Sequence, residues 1–175
     1  MSLRDVIVTV NQMEADGVID RYAIGGAVGA TFYLEPIATV DADIFVAFKS
    51  EPGKLLITLE PILDYLRSRG CFMKDEYVMI GDWPVQFLAP TSRLVEEALD
   101  TAVEIDVEGE SARVFRAEHL AAIALQTGRA KDKARLLQFL EQGELDRNRF
   151  HEILEHHSLV DAWNRFERQF LKNEQ

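Results

Sequence analysis

A single cysteine, Cys71, occurs in the 175 residues, which excludes an internal disulfide and with it a stapled secreted scaffold. No histidine motif accompanies that cysteine, so a thiol nucleophile is set aside and Cys71 reads as a small buried hydrophobe in a reducing compartment. No apolar run is long enough to cross a bilayer, so no membrane partner is expected. The opening residues, Met1-Ser2-Leu3-Arg4-Asp5, lack a basic flank followed by an apolar segment. No signal peptide is therefore expected, and the chain reads as cytoplasmic. Repeats, low-complexity tracts and flexible linkers are missing too. Positive charge is in deficit, with 19 Lys and Arg against 30 Asp and Glu and a net charge of −11. An acidic chain is a poor general binder of duplex DNA, because neutralising phosphates needs cations. One stretch runs against the trend: Arg113, Arg116, His119, Arg129, Lys131, Lys133 and Arg135 are opposed only by Glu118 and Asp132. Charge patterning alone reads it as a solvated helix face.

What is present suffices for a core. Hydrophobic residues make up 47% of the chain, ordinary for a globular domain, and the length suits one domain or a small α/β core with a helical appendage. Residues 2–15 read as a helix, capped by Ser2, with Val6, Val10 and Met13 at helical spacing and Asp16-Gly17 as the stop. Arg21-Tyr22-Ala23-Ile24 is a buried-strand candidate broken by Gly25-Gly26. A short helix over 27–33 follows and ends at Glu35-Pro36. Residues 38–47 are rich in β-formers and predict a second strand. An amphipathic helix is expected over 54–69, with Leu55, Leu59, Ile62, Leu63 and Leu66 on one side and Gly70 closing it. Residues 76–80 and 85–88 predict a hairpin about Gly81-Asp82, and Thr91 can cap a helix through Leu99. Strands are expected at 102–107 and 112–115, with a turn at Gly109-Glu110. From 117 onward only helical patterns remain, at 117–126, 132–141, 146–156 and 158–171. Mixed α/β followed by all-α predicts an α+β fold, read as an α/β core over 1–116 with a C-terminal helical region over 117–175 packed on it.

Two short motifs can carry chemistry. Asp41 and Asp43 are two apart, and residues two apart on a strand share a face. Side-by-side carboxylates repel unless something offsets their charge. A divalent cation does so, and Mg²⁺ characteristically takes one or two carboxylates plus substrate phosphates. An isolated Asp-x-Asp is more simply a solvated pair at a strand end. Gly25-Gly26 sits where a strand hands over to a helix, and glycine lets backbone N–H groups approach a phosphate closely. Alone it is more simply a tight turn. The order of the two motifs is more informative than either, because it sets a phosphate cradle beside a carboxylate pair.

Ile24-Gly25-Gly26, followed by Val40-Asp41-Ala42-Asp43-Ile44-Phe45-Val46, resembles the signature of the nucleotidyltransferase superfamily. Glu118-His119-Leu120-Ala121-Ala122-Ile123-Ala124-Leu125-Gln126-Thr127-Gly128-Arg129, with Ala130-Lys131-Asp132-Lys133 after it, looks like the helical segment of AbiEii/AbiGii-type toxin nucleotidyltransferases. Together these stretches span residues 22 to about 140. The resemblance implies a nucleotidyltransferase-like mixed β-sheet flanked by helices. It implies an NTP substrate and one Mg²⁺ or two on Asp41 and Asp43, the catalytic carboxylates. Gly25, Gly26, Ala27, Thr39, Arg129 and Lys131 would bind the nucleotide, with the amides at 25–27 holding phosphates and the two cations neutralising them. It further implies transfer to an acceptor hydroxyl, on RNA or a tRNA end in toxin relatives, and a cognate antitoxin as partner. Four positions depart from the pattern. Gln86 stands for a third acid, Ile37 for an Arg, Ala124 for a Lys and Arg135 for an Asp. These departures support an alternative, a non-catalytic relative that binds a nucleotide or a protein. A small-molecule acceptor, such as an aminoglycoside, is a third reading. His156-His157 point about 100° apart if both are helical and read as surface or capping residues. His119 reads as structural, and Trp83 and Trp163 as packing residues.

Overall fold

The computed structural model describes residues 2–35, 39, 41–48 and 58–171. Ile37, Val40 and the first part of the helix expected over 54–69 lie outside the described residues. The chain runs α1 (Leu3–Ala15), β1 (Arg21–Ile24), α2 (Gly26–Ala30), β2 (Ala42–Ala47), α3 (Glu60–Ser68), β3 (Phe72–Lys74), β4 (Tyr77–Ile80), β5 (Trp83–Leu88), α4 (Arg93–Asp100), β6 (Val103–Val107), β7 (Glu110–Val114), α5 (Ala117–Thr127), α6 (Ala130–Gln142), α7 (Arg147–His156) and α8 (Val160–Phe170). One seven-stranded sheet has the order β3-β4-β5-β2-β1-β7-β6. Strand β2 is antiparallel to β1 and parallel to β5, so the sheet is mixed. Helices flank it and four more end the chain, which is the α+β arrangement the element order predicts. Among the described residues no helix is long and apolar enough to cross a membrane.

Period-two alternation assigns the strand side chains to two cores. Ala42, Ile44 and Val46 of β2, with Val85 and Phe87 of β5, pack under Val6, Val10 and Met13 of α1 and Ile62 and Leu66 of α3. Phe45 and Ala47 point to the opposite face and meet the core built by α4 to α8, where Leu136, Phe139, Phe150 and Trp163 are buried. Asp43 shares the face of Phe45 but lies nearer the start of β2. It therefore sits on the side that carries the C-terminal helices.

Local chemistry explains the boundaries. The Asp5 carboxylate accepts from the Ser2 amide at 2.7 Å and closes the start of α1. Pro61 falls in the first turn of α3, where its missing N–H costs nothing, so the described helix starts at Glu60. Ser92, not Thr91, caps α4, its hydroxyl taking the Val95 amide at 3.3 Å. The β6–β7 turn is Glu108-Gly109, one residue earlier than expected, and both have positive φ (54° and 85°), as a tight hairpin demands. Strand β3 is unexpected. It is three exposed residues at the sheet edge, too short to show alternation.

Strands β1 and β7 meet at one register pair among the described residues, Ile24↔Val114, followed by a 3.0 Å bond from the Phe115 amide to the Ile24 carbonyl. Helix α1 ties the β6–β7 hairpin from outside. Arg4 reaches Glu110 at 2.6 Å, Asn11 donates to the Ser111 carbonyl at 2.9 Å, and Arg113 pairs with Glu14.

Candidate active-site groove

Beyond the end of α5, a groove separates the start of β2 from α6. Two adjoining cavities, of ≈ 380 and ≈ 520 Å³, fill it. Gly26, Asp41, Asp43, Arg129, Lys131 and Arg135 line both, and Ala27 and Thr39 line the larger. Seven of the eight candidate residues thus surround one space. Gly25 does not. It is buried, and its amide donates to the Asp43 carbonyl at 3.0 Å, so it is spent on the sheet rather than available to a phosphate. Helix α2 has five residues, too short to sum much of a dipole. What remains of the expected cradle is the pair of amides at Gly26 and Ala27, which start the helix and have no intrahelical acceptor.

Both glycines are demanded by packing. A Cβ on Gly25 would lie 2.6 Å from the Phe45 ring. A Cβ on Gly26 would lie 1.9 Å from Asp43 Oδ2, and Gly26 has φ +57°. Only glycine lets the turn sit against β2 at the carboxylate.

Asp41 immediately precedes β2 and Asp43 lies within it, so the pair straddles the strand end instead of lying inside a longer strand. The Thr39 hydroxyl donates to the Asp41 carbonyl at 3.2 Å and holds this entry. Burial, and next the Asp41 carboxylate, push Asp43 above the ordinary carboxylate range. Arg135, Lys131 and Arg129 pull it down without cancelling the rise. Ionising Asp43 is therefore harder than ionising an exposed carboxylate, even with three cations across the groove.

The opposite lip differs from expectation. Arg129 is bound to Asp132, with Nε to Oδ2 at 2.6 Å, and the Asp132 side chain is 3% exposed. Arg135 lies 3.7 Å from the same carboxylate, is 13% exposed, and its buried Nε has no partner among the described residues. Asp132 thus fastens two guanidiniums to the groove wall and takes up part of their charge. Arg135, a departure by motif, is one of the groove's cations. Its i,i+4 spacing from Lys131 put it on that helix face in the sequence already. Gln86 is in register with Asp43 on the parallel neighbour β5 and lines the smaller cavity. That cavity also receives Glu76 and Tyr77 from the β3–β4 hairpin. Asp41, and next burial, push the Tyr77 hydroxyl up. Neither residue carried a sequence signal, because an edge hairpin brings them in.

The basic stretch is not one solvated face. Arg113 pairs with Glu14, Arg116 donates to the Thr101 carbonyl at 2.9 Å, and Arg129, Lys131 and Arg135 turn to the groove. His119, His156 and His157 all converge on Glu97, away from the groove. His157 is the C-cap of α7 and His156 is exposed, as a surface or capping reading expects, but the 100° spacing does not apply because His157 has left the helix, and both rings reach Glu97.

No protein-family model and no curated protein sequence matches the chain. Solved structures do. One is an antigenic nucleotidyltransferase-like protein from Paracoccidioides brasiliensis, at 14% identity over 93% of this chain and 91% of that one, with a TM-score of 0.56. Another is ANT(2″)-Ia in complex with adenylyl-2″-tobramycin, at 12% identity over 94% and 99%, with a TM-score of 0.55. A solution structure of the same antibiotic-resistance factor gives 11% identity over 95% and 98%, with a TM-score of 0.53. At such identities the likeness is one of fold, and the fold of this chain is nucleotidyltransferase-like.

Proposed function

We propose that the chain transfers a nucleotidyl group from an NTP to an acceptor hydroxyl, with Mg²⁺ as cofactor. The observation that carries this reading is the groove itself, where two carboxylates at a strand end face three cations, Arg129 at the N-cap of α6 and Lys131 and Arg135 within it. The donor set fits a hard cation. It offers carboxylate oxygens, and Asp43 is raised by burial and a like charge that a divalent ion would offset. When bound, Mg²⁺ would neutralise triphosphate charge and polarise the attacked phosphorus.

The chain's own residues have distinct parts in this reading. Asp41 and Asp43 hold the ion. Arg135, Lys131 and Arg129 counter the phosphates from across the groove. The amides of Gly26 and Ala27 point donors at the same charge. In the reaction, the acceptor oxygen bonds to the α-phosphorus and its proton passes to solvent, the bond from that phosphorus to the α–β bridging oxygen breaks, and pyrophosphate leaves.

The acceptor is read as an RNA hydroxyl, on the likeness of residues 118–133 to toxin nucleotidyltransferases, and a cognate antitoxin belongs to the same reading. A second reading is a small hydroxylated acceptor. It is favoured by the neighbour's complex with adenylyl-2″-tobramycin and by the net charge of −11, which repels a polyanion. The test is incubation with Mg²⁺ and each labelled NTP, offered total RNA or tobramycin. Labelled RNA supports the first reading and labelled small molecule the second. Mg²⁺-dependent NTP binding with no labelled product from either leaves the non-catalytic alternative, which Gln86 beside Asp43 favours. No NTP binding at all overturns the proposal.

A further inference from the structure

A second group of ligating side chains lies where the end of α7 meets α4. Glu97 Oε2 is 2.7 Å from His157 Nε2 and 3.3 Å from His156 Nδ1, and its Oε1 is 3.0 Å from His119 Nε2. One ligand atom each from Glu97, His156 and His157 lie within 4.8 Å of one another. Two ligands bound tetrahedrally to zinc are about 3.4 Å apart, from metal–ligand distances of roughly 2.0–2.1 Å. The 3.3 Å edge nearly matches that spacing and the 2.7 Å edge is shorter, so the His157 ring must swing outward to admit an ion.

Backbone geometry brings adjacent histidines to one point. Helix α7 stops at His156, and His157 caps it at φ −103°. Ser158 then takes φ +58°, an uncommon conformation for a non-glycine residue, and turns the chain away. His156 keeps a helical direction while His157 folds under it, with ring centroids 4.8 Å apart.

Two further observations point to an ion. The His119 side chain is 4% exposed and its Nδ1 has no partner among the described residues. A proton on Nε2 then donates to Glu97 Oε1, the buried hydrogen bond that metal-binding carboxylates characteristically receive from behind. On the other side, a cavity of ≈ 370 Å³ opens over Glu97, His119 and His156, and the His156 side chain is 74% exposed. An ion can therefore enter and keep a water. Imidazole nitrogens with one carboxylate suit zinc, cobalt or nickel, whereas Mg²⁺ takes oxygen ligands.

We propose that Glu97, His156 and His157 bind one zinc-class divalent ion, oriented by His119 as a positioning residue, and that the ion ties the end of α7 to α4. Binding is ligand exchange without redox change. The lone pairs of one nitrogen from each histidine and of Glu97 Oε2 go to the metal. Any proton on those nitrogens moves to the other ring nitrogen or to solvent. The site is independent of the groove reading and stands or falls without it.

The test is calorimetric titration of Zn²⁺ into the chelator-treated full chain in excess Mg²⁺, with Co²⁺ as a spectroscopic probe. One equivalent should bind, raise the melting temperature and give the visible absorption of low-coordinate cobalt with nitrogen ligands. His156→Ala, at an exposed ring, should weaken binding about 100-fold or more, and His119→Gln by about 10–100-fold at unchanged stoichiometry. The Asp41→Asn/Asp43→Asn variant should bind Zn²⁺ as wild type does. No Zn²⁺ binding in excess Mg²⁺ overturns the proposal. So does affinity unchanged in both His156→Ala and Glu97→Gln, or affinity lost in the Asp41→Asn/Asp43→Asn variant.

Discussion

Asp43 and Glu97 are both partly buried carboxylates beside the C-terminal helices, and their surroundings drive them in opposite directions. Asp43 has another carboxylate for a neighbour, and burial and that like charge raise it. Burial would raise Glu97 too, yet hydrogen bonds from His119 and His157 outweigh it and hold the carboxyl below its ordinary range. One site therefore leaves its carboxylate costly to ionise, and the other has gathered its hydrogen-bond partners already. Burial alone does not tell a poised carboxylate from a settled one; the partners do.

The largest expected effect separates the two sites outright. Asp41→Asn/Asp43→Asn should lower Mg²⁺-dependent NTP affinity at least ~100-fold, since a bound metal supplies several kcal/mol at phosphates, while Glu97→Gln leaves it unchanged. Calorimetry with and without Mg²⁺ measures both. Equal losses would merge the sites and end the comparison. Next, Gly26→Ala should cost about 2 kcal/mol or more in urea denaturation. Left-handed strain accounts for roughly 1–2 kcal/mol, and the added Cβ would lie 1.9 Å from Asp43 Oδ2. NTP affinity should fall with it, because Asp43 must move. Arg135→Gln should weaken NTP binding about tenfold, the scale of one charge-assisted hydrogen bond; an unchanged affinity would return Arg135 to a purely structural part.

The smallest effect is the most diagnostic, because its sign differs between the sites. Asp43 has a folded-state pKa above its unfolded value, so ionising it costs stability. That cost is absent below the ordinary Asp range and complete once pH passes the raised value. Asp43→Asn should therefore melt higher than wild type at neutral pH and lose the advantage in acid. Glu97 is held low, so its stabilisation is present above the ordinary Glu range and lost as pH falls through the folded value. His119, lowered by burial, acts in the same sense below the imidazole range. Glu97→Gln should cost about 1–2 kcal/mol at neutral pH, shrinking in acid. Melting curves across pH decide it, and parallel slopes for the two variants would break the contrast.

The sequence made one of these sites legible and hid the other, for a physical reason. Gly25-Gly26 follow directly on β1 and Asp41-x-Asp43 opens β2, and these two strands pair antiparallel, so their proximity follows from local order. Helical spacing likewise carried α1, α5 and α6. Glu97 meets His119 and His157 across separations of 22 and 60 residues, which no local period encodes. The same limit hid β3 and the contribution of Glu76 and Tyr77, since edge pairing leaves no buried alternation to read. Gln86 shows the converse: its motif position was legible, and the register beside Asp43 gives that position its meaning.

The join between β1 and β7 has a consequence for how the molecule breathes. With one register pair at that seam among the described residues, α1 adds three polar ties to the β6–β7 hairpin, through Arg4, Asn11 and Glu14. In native-state amide exchange, α1 and the hairpin should therefore open as one cooperative unit, at lower free energy than the β2–β5 ladder. Phe115 follows directly after that hairpin and packs on Phe45, with ring centroids 4.8 Å apart, and its ring edge lies 3.1 Å from where a Cβ on Gly25 would stand. Fraying at one margin of the sheet thus reaches the glycine turn at the groove, and ligand binding there should slow exchange in a hairpin it never touches.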